Sequence, residues 1–219
     1  DKVGFITMNP QQVVCTKNGR LGNALNEGIK HCKNELVARM DSDDIAYPDR
    51  CEKQIAVFYT HLEVSICSGI VEEFTSTPDV VDAKRVPPEA HEEIVEFAKK
   101  RNPFNHPCVM YKKSAVEAVG SYQDFYLLED YYLWLRMLMA GYQGYNIQEP
   151  LLHMRAGSDM YLRRAGWKYA KTQARLFKFM KSQGFIGEGQ YIKSCVIRSG
   201  SALAPNWLRK LMFEKVLRK

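Results

Sequence analysis

The sequence predicts an α/β fold, with a mostly parallel sheet flanked by helices and a basic helical C-terminal extension. Three observations carry that expectation. Short β-branched and apolar runs alternate with amphipathic helical patterns along residues 13–71, the rhythm of strand–helix–strand units. Three carboxylates, Asp41, Asp43 and Asp44, follow directly on the apolar run 36–40, and open sheets of this kind bind ligands at the carboxyl ends of their strands. Residues 160–219 hold 14 Lys and Arg against two acids, whereas residues 1–159 hold 17 against 23. The expected division is a core over residues 1–158 and a basic amphipathic extension over residues 159–219.

The elements follow in order. Val13, Val14, Cys15 and Thr16 form a β-branched run ending at the turn pair Asn18-Gly19,. Leu21, Leu25, Gly28, Ile29 and Cys32 recur at helical spacing, so residues 21–33 make a helix with one apolar face,. Residues 36–40 read as a buried strand. Pro48 opens a helix running to about residue 60, a position where a missing N–H costs nothing. Residues 64–71 are another strand, 78–88 a loop, and 89–100 a helix with an acidic first turn and a basic last one, as the helix dipole favours,. After the irregular run 102–107, residues 108–111 resume a strand. Residues 113–119 are a short helix closed by Gly120. Glu129 and Asp130 open a helix through residue 140, with Gly141 as its stop,. A short strand follows Pro150 as far as Arg155, and basic helices fill the rest, broken near 184–189 and at Pro205.

Composition bounds the partners. The chain has 219 residues, 46% hydrophobic and 26% charged, enough for one domain with a sizeable core,. Its six cysteines are scattered without any CxxC pair, which fits reduced thiols in a cytosolic protein. No apolar run approaches the roughly 18 residues that span a bilayer. The basic segment suits either nucleic acid or an anionic membrane. It carries no nucleic-acid recognition signature, whereas Trp167, Leu176, Phe177, Phe179, Met180 and later Trp207, Leu208, Leu211, Met212 and Phe213 give its helices an apolar side,. The expectation is therefore no nucleic acid, and a peripheral contact at the inner face of a membrane.

Two carboxylate groups carry the chemistry. Asp41, Asp43 and Asp44 raise one another's pKa unless a cation neutralises them, and a hard divalent ion with oxygen ligands suits the task and can hold a diphosphate. Aspartates at such spacing also serve as turn caps or lie solvated. A calcium loop is excluded, because Ile45 and Ala46 occupy positions that need an oxygen ligand and a glycine,. Glu129-Asp130 at a helix start reads either as an acidic N-terminal turn or as a general base. His106 is a loop-structuring or a substrate-contacting residue. His153 lies close to Arg155, and Arg155, Arg163 and Arg164 suit a diphosphate, with solvated surface arginines as the alternative.

The ordered motifs add a resemblance. Asn18-Gly-Arg-Leu-Gly-Asn-Ala-Leu-Asn-Glu-Gly-Ile29, Ala38-Arg-Met-Asp-Ser-Asp-Asp-Ile45 and Pro48-Asp-Arg-Cys-Glu-Lys-Gln54 come first. Asn102-Pro-Phe-Asn-His-Pro107, Val119-Gly-Ser-Tyr122 and Leu128-Glu-Asp-Tyr131 with Trp134 and Arg136 follow in order. Together these resemble family 2 glycosyltransferases of the GT-A (Rossmann-like) fold, in the branch that builds bacterial surface polysaccharides, over roughly residues 13–165. The resemblance implies a nucleotide-sugar donor (a UDP-sugar), Mn²⁺ or Mg²⁺, inversion at the anomeric carbon, and a glycan or lipid-linked acceptor. It places Asp41 and Asp43 on the ribose and the metal-bound diphosphate, with Asp43 as first metal ligand, and leaves Asp44 to cap the following turn. It makes Asp130 the base, sets Glu129 against the acceptor, puts Asn105 and His106 on the acceptor side, and lets His153 complete the metal shell. Only about a dozen residues precede the Val13 strand, and residues 1–8 carry no base-binding strand pattern. The expectation is thus an N-terminally incomplete member, with an uncovered sheet edge open to homodimerisation. A non-catalytic carbohydrate- or membrane-binding remnant of the same fold is the alternative.

Overall fold

The computed structural model describes residues 3–5, 12–14, 20–157 and 165–204. Along the chain run β1 (Val3–Phe5), β2 (Gln12–Val14), α1 (Arg20–His31), β3 (Leu36–Ala38), β4 (Ile45–Ala46), α2 (Arg50–Thr60), β5 (Val64–Phe74), β6 (Ala83–Arg85) and α3 (His91–Ala98). A 3₁₀ turn, His106–Cys108, leads into β7 (Met110–Lys112), α4 (Lys113–Ala118), α5 (Glu129–Met139) and β8 (Gln143–Arg155). After it come α6 (Gly166–Ser182), α7 (Glu188–Ser194), a π-helical turn (Cys195–Ser199) and α8 (Gly200–Leu203).

The organising strand is β5, buried at all eleven positions. Its Val-Ser-Ile-Cys-Ser-Gly-Ile-Val run is apolar on both faces, as a strand covered on both sides must be. Ile66 points into a cluster shared with Leu25 and Ile29 of α1, Ile94 of α3, and Leu133, Trp134 and Met137 of α5. Cys67 and Val71 point into the opposite cluster, with Val57 and Phe58 of α2 and Leu151 and Leu152 of β8. Leu176, Phe177 and Met180 of α6 belong to the first cluster, so the described part of the basic segment shares the core with α5.

The sheet order is β3-β7-β5-β8-β4, with β6 also pairing β5. Only β5 with β8 is parallel among the described pairings in this sheet; β3 with β7, β7 with β5, β6 with β5 and β4 with β8 are antiparallel. The expectation of a mostly parallel sheet is corrected to a mixed one. The reason is β7, a three-residue strand that inserts between β3 and β5 against both; so short a strand leaves no periodicity from which its direction could be read. β1 and β2 form a separate antiparallel pair.

A second departure lies in β8, which runs through Pro150 instead of starting after it. Its register against β5 shifts between Gly69 and Ile70, where Gly69 faces Ile147 and Ile70 faces Pro150. The irregularity absorbs the proline, which has no N–H to give a ladder. At residue 69 an added Cβ would lie 2.5 Å from Leu151 Cδ1, so only glycine lets the two strands approach here. The helix stops fall as expected, with Gly120 and Gly141 both at positive φ (82° and 86°) beyond α4 and α5,.

Two buried polar residues of α2 lock the sheet from below. Arg50, 2% exposed, donates through Nη2 to the carbonyls of Arg39 (2.7 Å) and Val109 (3.4 Å), and through Nε to Gln54 Oε1 (3.0 Å). Gln54 Nε2 donates to the carbonyls of Cys108 (2.8 Å) and Cys67 (3.2 Å). One helix turn thus ties the ends of β3, β5 and β7 together. Arg50→Met keeps the volume but strands those acceptors; hydrogen bonds from a charged donor contribute ~1.5–3 kcal/mol each. We predict a loss of roughly 3 kcal/mol, lowering Tm by ~6–12 °C for a chain of this length. A calorimetric Tm within 2 °C or so of the native chain would contradict the clamp.

Candidate active site

The acidic turn begins where β3 ends. Arg39, the next residue after Ala38, is buried (7% exposed) and donates through Nη2 to Asp41 Oδ1. Its backbone is held on both sides, N–H to the Val109 carbonyl (2.9 Å) and C=O from Arg50. Nε and Nη1 of Arg39 have no partner among the described residues. A positive partner for Asp41 is therefore built into the chain at the strand end. Asp41 is half-buried and Asp43 exposed, so both keep oxygen atoms open to a ligand.

Asp44 does something else. It is buried, and its Oδ1 accepts the backbone N–H of Arg155 at 3.0 Å, 111 residues away. The expectation that Asp44 caps the following turn gives way to this long-range tie, which fixes the acidic turn to the end of β8. Its carboxyl is raised to about 6, chiefly by burial and also by Asp41 and Asp43, against the lowering pull of the Arg155 N–H and the Arg39 charge,.

Asp130 stands in the first turn of α5. Asn102 Nδ2 donates to its Oδ2 at 2.6 Å, and His106 Nδ1 lies 4.0 Å from the same oxygen. Glu129 beside it has its carboxyl raised, first by burial and then by the charges of Asp130 and Asp124. The His106 ring packs against Trp134 and Tyr122, with centroids 6.0 and 5.6 Å away, and its Nε2 is 3.0 Å from Tyr122 Oη. Burial, then the nearby Arg39 cation, holds the imidazole well below its ordinary range, so it is neutral,. Arg39 thus bonds Asp41 directly, and its charge is also felt at the His106 ring.

The fold positions this cluster through α1. Asn26 clamps the Tyr122 backbone in both directions, Nδ2 to the carbonyl (2.7 Å) and Oδ1 from the N–H (2.9 Å). Gly22 of α1 lies against Tyr122 and Glu129, where an added Cβ would make ordinary contact at 3.4 and 3.8 Å, so α1 packs closely on the start of α5. The loop between α4 and α5 holds two non-glycine residues in left-handed conformation, Ser121 (φ 52°) and Leu127 (φ 59°). Such residues cost of order 1–3 kcal/mol and persist where surroundings over-determine them. Arg136 supplies part of that, donating to the carbonyls of Val119 and Ser121.

Other expected residues are placed differently. Asn105 is buried and spends its amide on the carbonyls of Gly69 (2.9 Å) and Arg85 (3.2 Å), tying the loop to β5 and β6. His153 stacks on Tyr47 (4.6 Å) and lies 3.6 Å from Glu72. No group of three His, Cys, Asp or Glu is placed to hold a metal among the described residues, so the structure does not bring His153 together with Asp41 and Asp43 as a trio. Arg155 reaches Asp44 through its backbone, while its guanidinium covers the Phe74 ring at 4.7 Å. Arg163 and Arg164 lie outside the described residues. Arg39, Asn102, Tyr122 and Asn26 escape the sequence reading, although an arginine inside the apolar run 36–40 was itself a signal, since a charge there must be paired.

His106 has a consequence for pH stability. Its folded pKa lies below the ordinary 6.5, so its contribution is full above pH ~6.5 and is lost as pH falls and the unfolded chain takes up the proton first. The slope in that window reaches about 1.4 kcal/mol per pH unit. Chemical denaturation of His106→Gln is expected to show a shallower decline between pH 6.5 and 5. Equal slopes in both proteins would contradict a buried neutral imidazole.

Comparisons with known proteins bear on this arrangement. The profile described as "Glycosyl transferase family 2" matches residues 10–120. An uncharacterized glycosyltransferase of Haemophilus influenzae is 41% identical over 98% of this chain and 80% of its own length. An amylovoran biosynthesis glycosyltransferase of Erwinia amylovora is 40% identical over 91% and 74%. The UDP-Gal:alpha-D-GlcNAc-diphosphoundecaprenol beta-1,3-galactosyltransferase of Escherichia coli is 37% identical over 97% and 77%. Among solved structures, S. aureus TarS 1–349 in complex with UDP-GlcNAc superimposes with TM-score 0.60 at 13% identity, over 93% of this chain and 58% of that one. A mannosyltransferase from Pyrobaculum calidifontis in complex with GDP-Man and Mn²⁺ gives 0.52 at 13%, over 92% and 61%. The chain spans less than two thirds of either solved chain, and likeness at this identity speaks for the fold alone. With a family match over half its length and relatives at 37–41% identity along more than nine-tenths of it, the chain belongs to glycosyltransferase family 2 and is a glycosyltransferase of GT-A fold.

Proposed function

We propose that the protein transfers a hexose from a UDP-sugar to a hydroxyl of a glycan or lipid-linked acceptor, with inversion, in bacterial polysaccharide biosynthesis. The observation that carries this reading is an acidic turn that leaves Asp43 exposed and holds Asp41 against Arg39, together with a second carboxylate, Asp130, held by Asn102 beside His106 at the start of α5. The names of the relatives support the substrate class, since one acts on a diphosphoundecaprenol-linked sugar and another in amylovoran biosynthesis.

The donor set fits a divalent ion. Asp43 is exposed, Asp41 keeps one oxygen clear of Arg39, and two carboxylates completed by diphosphate oxygens suit Mg²⁺ or Mn²⁺ better than an all-protein cage. When bound, such an ion would neutralise the diphosphate as it departs. Arg39 keeps Asp41 oriented toward that site. Asp130, held by Asn102, takes the proton from the acceptor hydroxyl; the oxygen attacks the anomeric carbon from the face opposite the diphosphate, whose bond to that carbon breaks. Glu129 contacts the acceptor. Arg155, Arg163 and Arg164 are proposed as further cations for the leaving group, and His153 would join only by leaving Tyr47 and Glu72.

Binding and turnover separate the two carboxylate groups. Calorimetric titration of UDP with Mn²⁺ is expected to give a metal-dependent affinity that Asp43→Ala abolishes and Asp130→Asn preserves, while Asp130→Asn lowers transfer by about 10²–10⁴-fold. Transfer by Asp130→Asn at the native rate would sink this assignment of the base. If the unaltered chain binds no nucleotide at all, the non-catalytic reading takes its place.

The membrane contact is proposed on α6. Its buried side is Tyr169, Gln173, Leu176, Phe177 and Met180, and the remaining face exposes Lys168, Lys171, Arg175 and Lys178, with Trp167 71% exposed at its start. Basic side chains beside an exposed indole suit an anionic cytoplasmic leaflet, at ~1 kcal/mol per cation. Co-sedimentation should be strong with phosphatidylglycerol vesicles, weak with phosphatidylcholine, and reduced at least tenfold by reversing Lys171 and Arg175 to Glu. Equal binding to both lipids would contradict the charge argument.

A further inference from the structure

We propose that His106 is a positioning residue for Asp130: a neutral imidazole whose tautomer is set by Tyr122, so that Nδ1–H faces the Asp130 carboxylate. This rests on the reading of Asp130 as the base. It deepens that reading, because it assigns the group that aims the base and favours its charged form.

The argument is one of hydrogen-bond capacity. A neutral imidazole offers one N–H and one acceptor nitrogen. Nδ1 lies 4.0 Å from Asp130 Oδ2 and Nε2 lies 3.0 Å from Tyr122 Oη. An ionised carboxylate can only accept, so a hydrogen on Nδ1 is the tautomer that suits it; Nε2 then accepts, and the Tyr122 hydroxyl donates. Asn26 fixes the Tyr122 backbone and its ring is 3% exposed, so the hydroxyl stays at Nε2; its one hydrogen serves that nitrogen when the neighbouring Tyr111 hydroxyl donates to Tyr122 and not the reverse,. Trp134 stands edge-on to the His106 ring and limits its rotation.

The charged surroundings favour the neutral ring. Burial disfavours a charged His106 ring, and the Arg39 cation at the end of β3 adds to that. Around Asp130 stand Glu129 on its own helix, Tyr122 from the preceding loop, and Asn102 and His106 from the segment before β7. Donors from Asn102 and His106 favour the ionised carboxylate, whereas Glu129 disfavours it. The 4.0 Å separation is long for a hydrogen bond and is expected to shorten with acceptor bound, as catalytic contacts commonly do. His106 itself neither gains nor loses a proton in this account; the acceptor proton stays on Asp130 until product leaves.

The tautomer is directly observable. In ¹⁵N-histidine-labelled protein at pH 7, long-range ¹H–¹⁵N correlation should show His106, assigned by its absence in His106→Asn, with a protonated Nδ1 and a bare Nε2. The opposite tautomer, or an imidazolium, would overturn the proposal. Tyr122→Phe should erode the preference toward Nε2–H. Carboxyl ¹³C titration of Asp130, assigned with Asp130→Asn, gives the second readout. His106→Ala should raise its pKa by at least about half a unit, His106→Asn should restore most of the native value because its amide replaces Nδ1–H, and His106→Gln should not. An unmoved Asp130 pKa in His106→Ala would also overturn it. Neither readout needs turnover, so failure of the base assignment, seen as full transfer by Asp130→Asn, remains distinguishable from failure of this inference.

Discussion

A buried arginine at the end of β3 is the constraint on which the rest of the site depends. A guanidinium as enclosed as Arg39 must be paired, because an isolated buried charge costs several kcal/mol even after relaxation. Asp41 provides the partner, and the acidic turn therefore folds back over the strand end. Arg50 then captures the Arg39 carbonyl from beneath, so the strand end is held by side chain above and backbone below. Asp44 completes the anchorage by gripping the last residue of β8. What remains exposed after these ties is Asp43 and one side of Asp41, the oxygens that the proposed function gives to a metal and a diphosphate.

The same cation shapes the acceptor half. Burial first, and the charge of Arg39 second, keep the His106 ring neutral beside Asp130. The polypeptide spends conformational strain to hold this geometry: Ser121 and Leu127, on either side of Tyr122 and both ahead of Asp130, sit in left-handed backbone. Asn26, Gly22 and Arg136 fix that loop from α1 and α5. Rigid helices thus carry the precision, while the acidic turn carries the open coordination sites. In the proposed mechanism Asp130 serves as the base and the acidic turn holds the diphosphate, and in-line displacement needs both groups held in place.

Much of this was legible from residue order alone. The helix beginning near Leu21, the strand before Asp41, the helix after Pro48, and the acidic start of α5 with its glycine stop all lie where periodicity put them. Asp41, Asp43 and Asp130 announced themselves because carboxylates at strand ends and helix starts are chemically conspicuous. Strand direction was not legible, since β7 owes its place to long-range pairing with β3 and β5 and to the Gln54 clamp on Cys108 rather than to local pattern. β4, only two residues long, was hidden for the same reason. Asn105 looked functional because it neighbours His106, yet its amide is consumed by backbone carbonyls. Tyr122 and Asn26 were missed because each acts through a partner nearly a hundred residues distant, and one sequence contains no trace of such pairing.

The most direct test of the central claim is a crystal structure of the chain with Mn²⁺ and UDP. The account predicts the ion against Asp43, the diphosphate beside it, Asp41 still bonded to Arg39, and Asp130 facing the same cleft from the far side of His106. An ion bound at Glu72 and His153 instead, or a diphosphate on a face that Asp130 does not share, would contradict it.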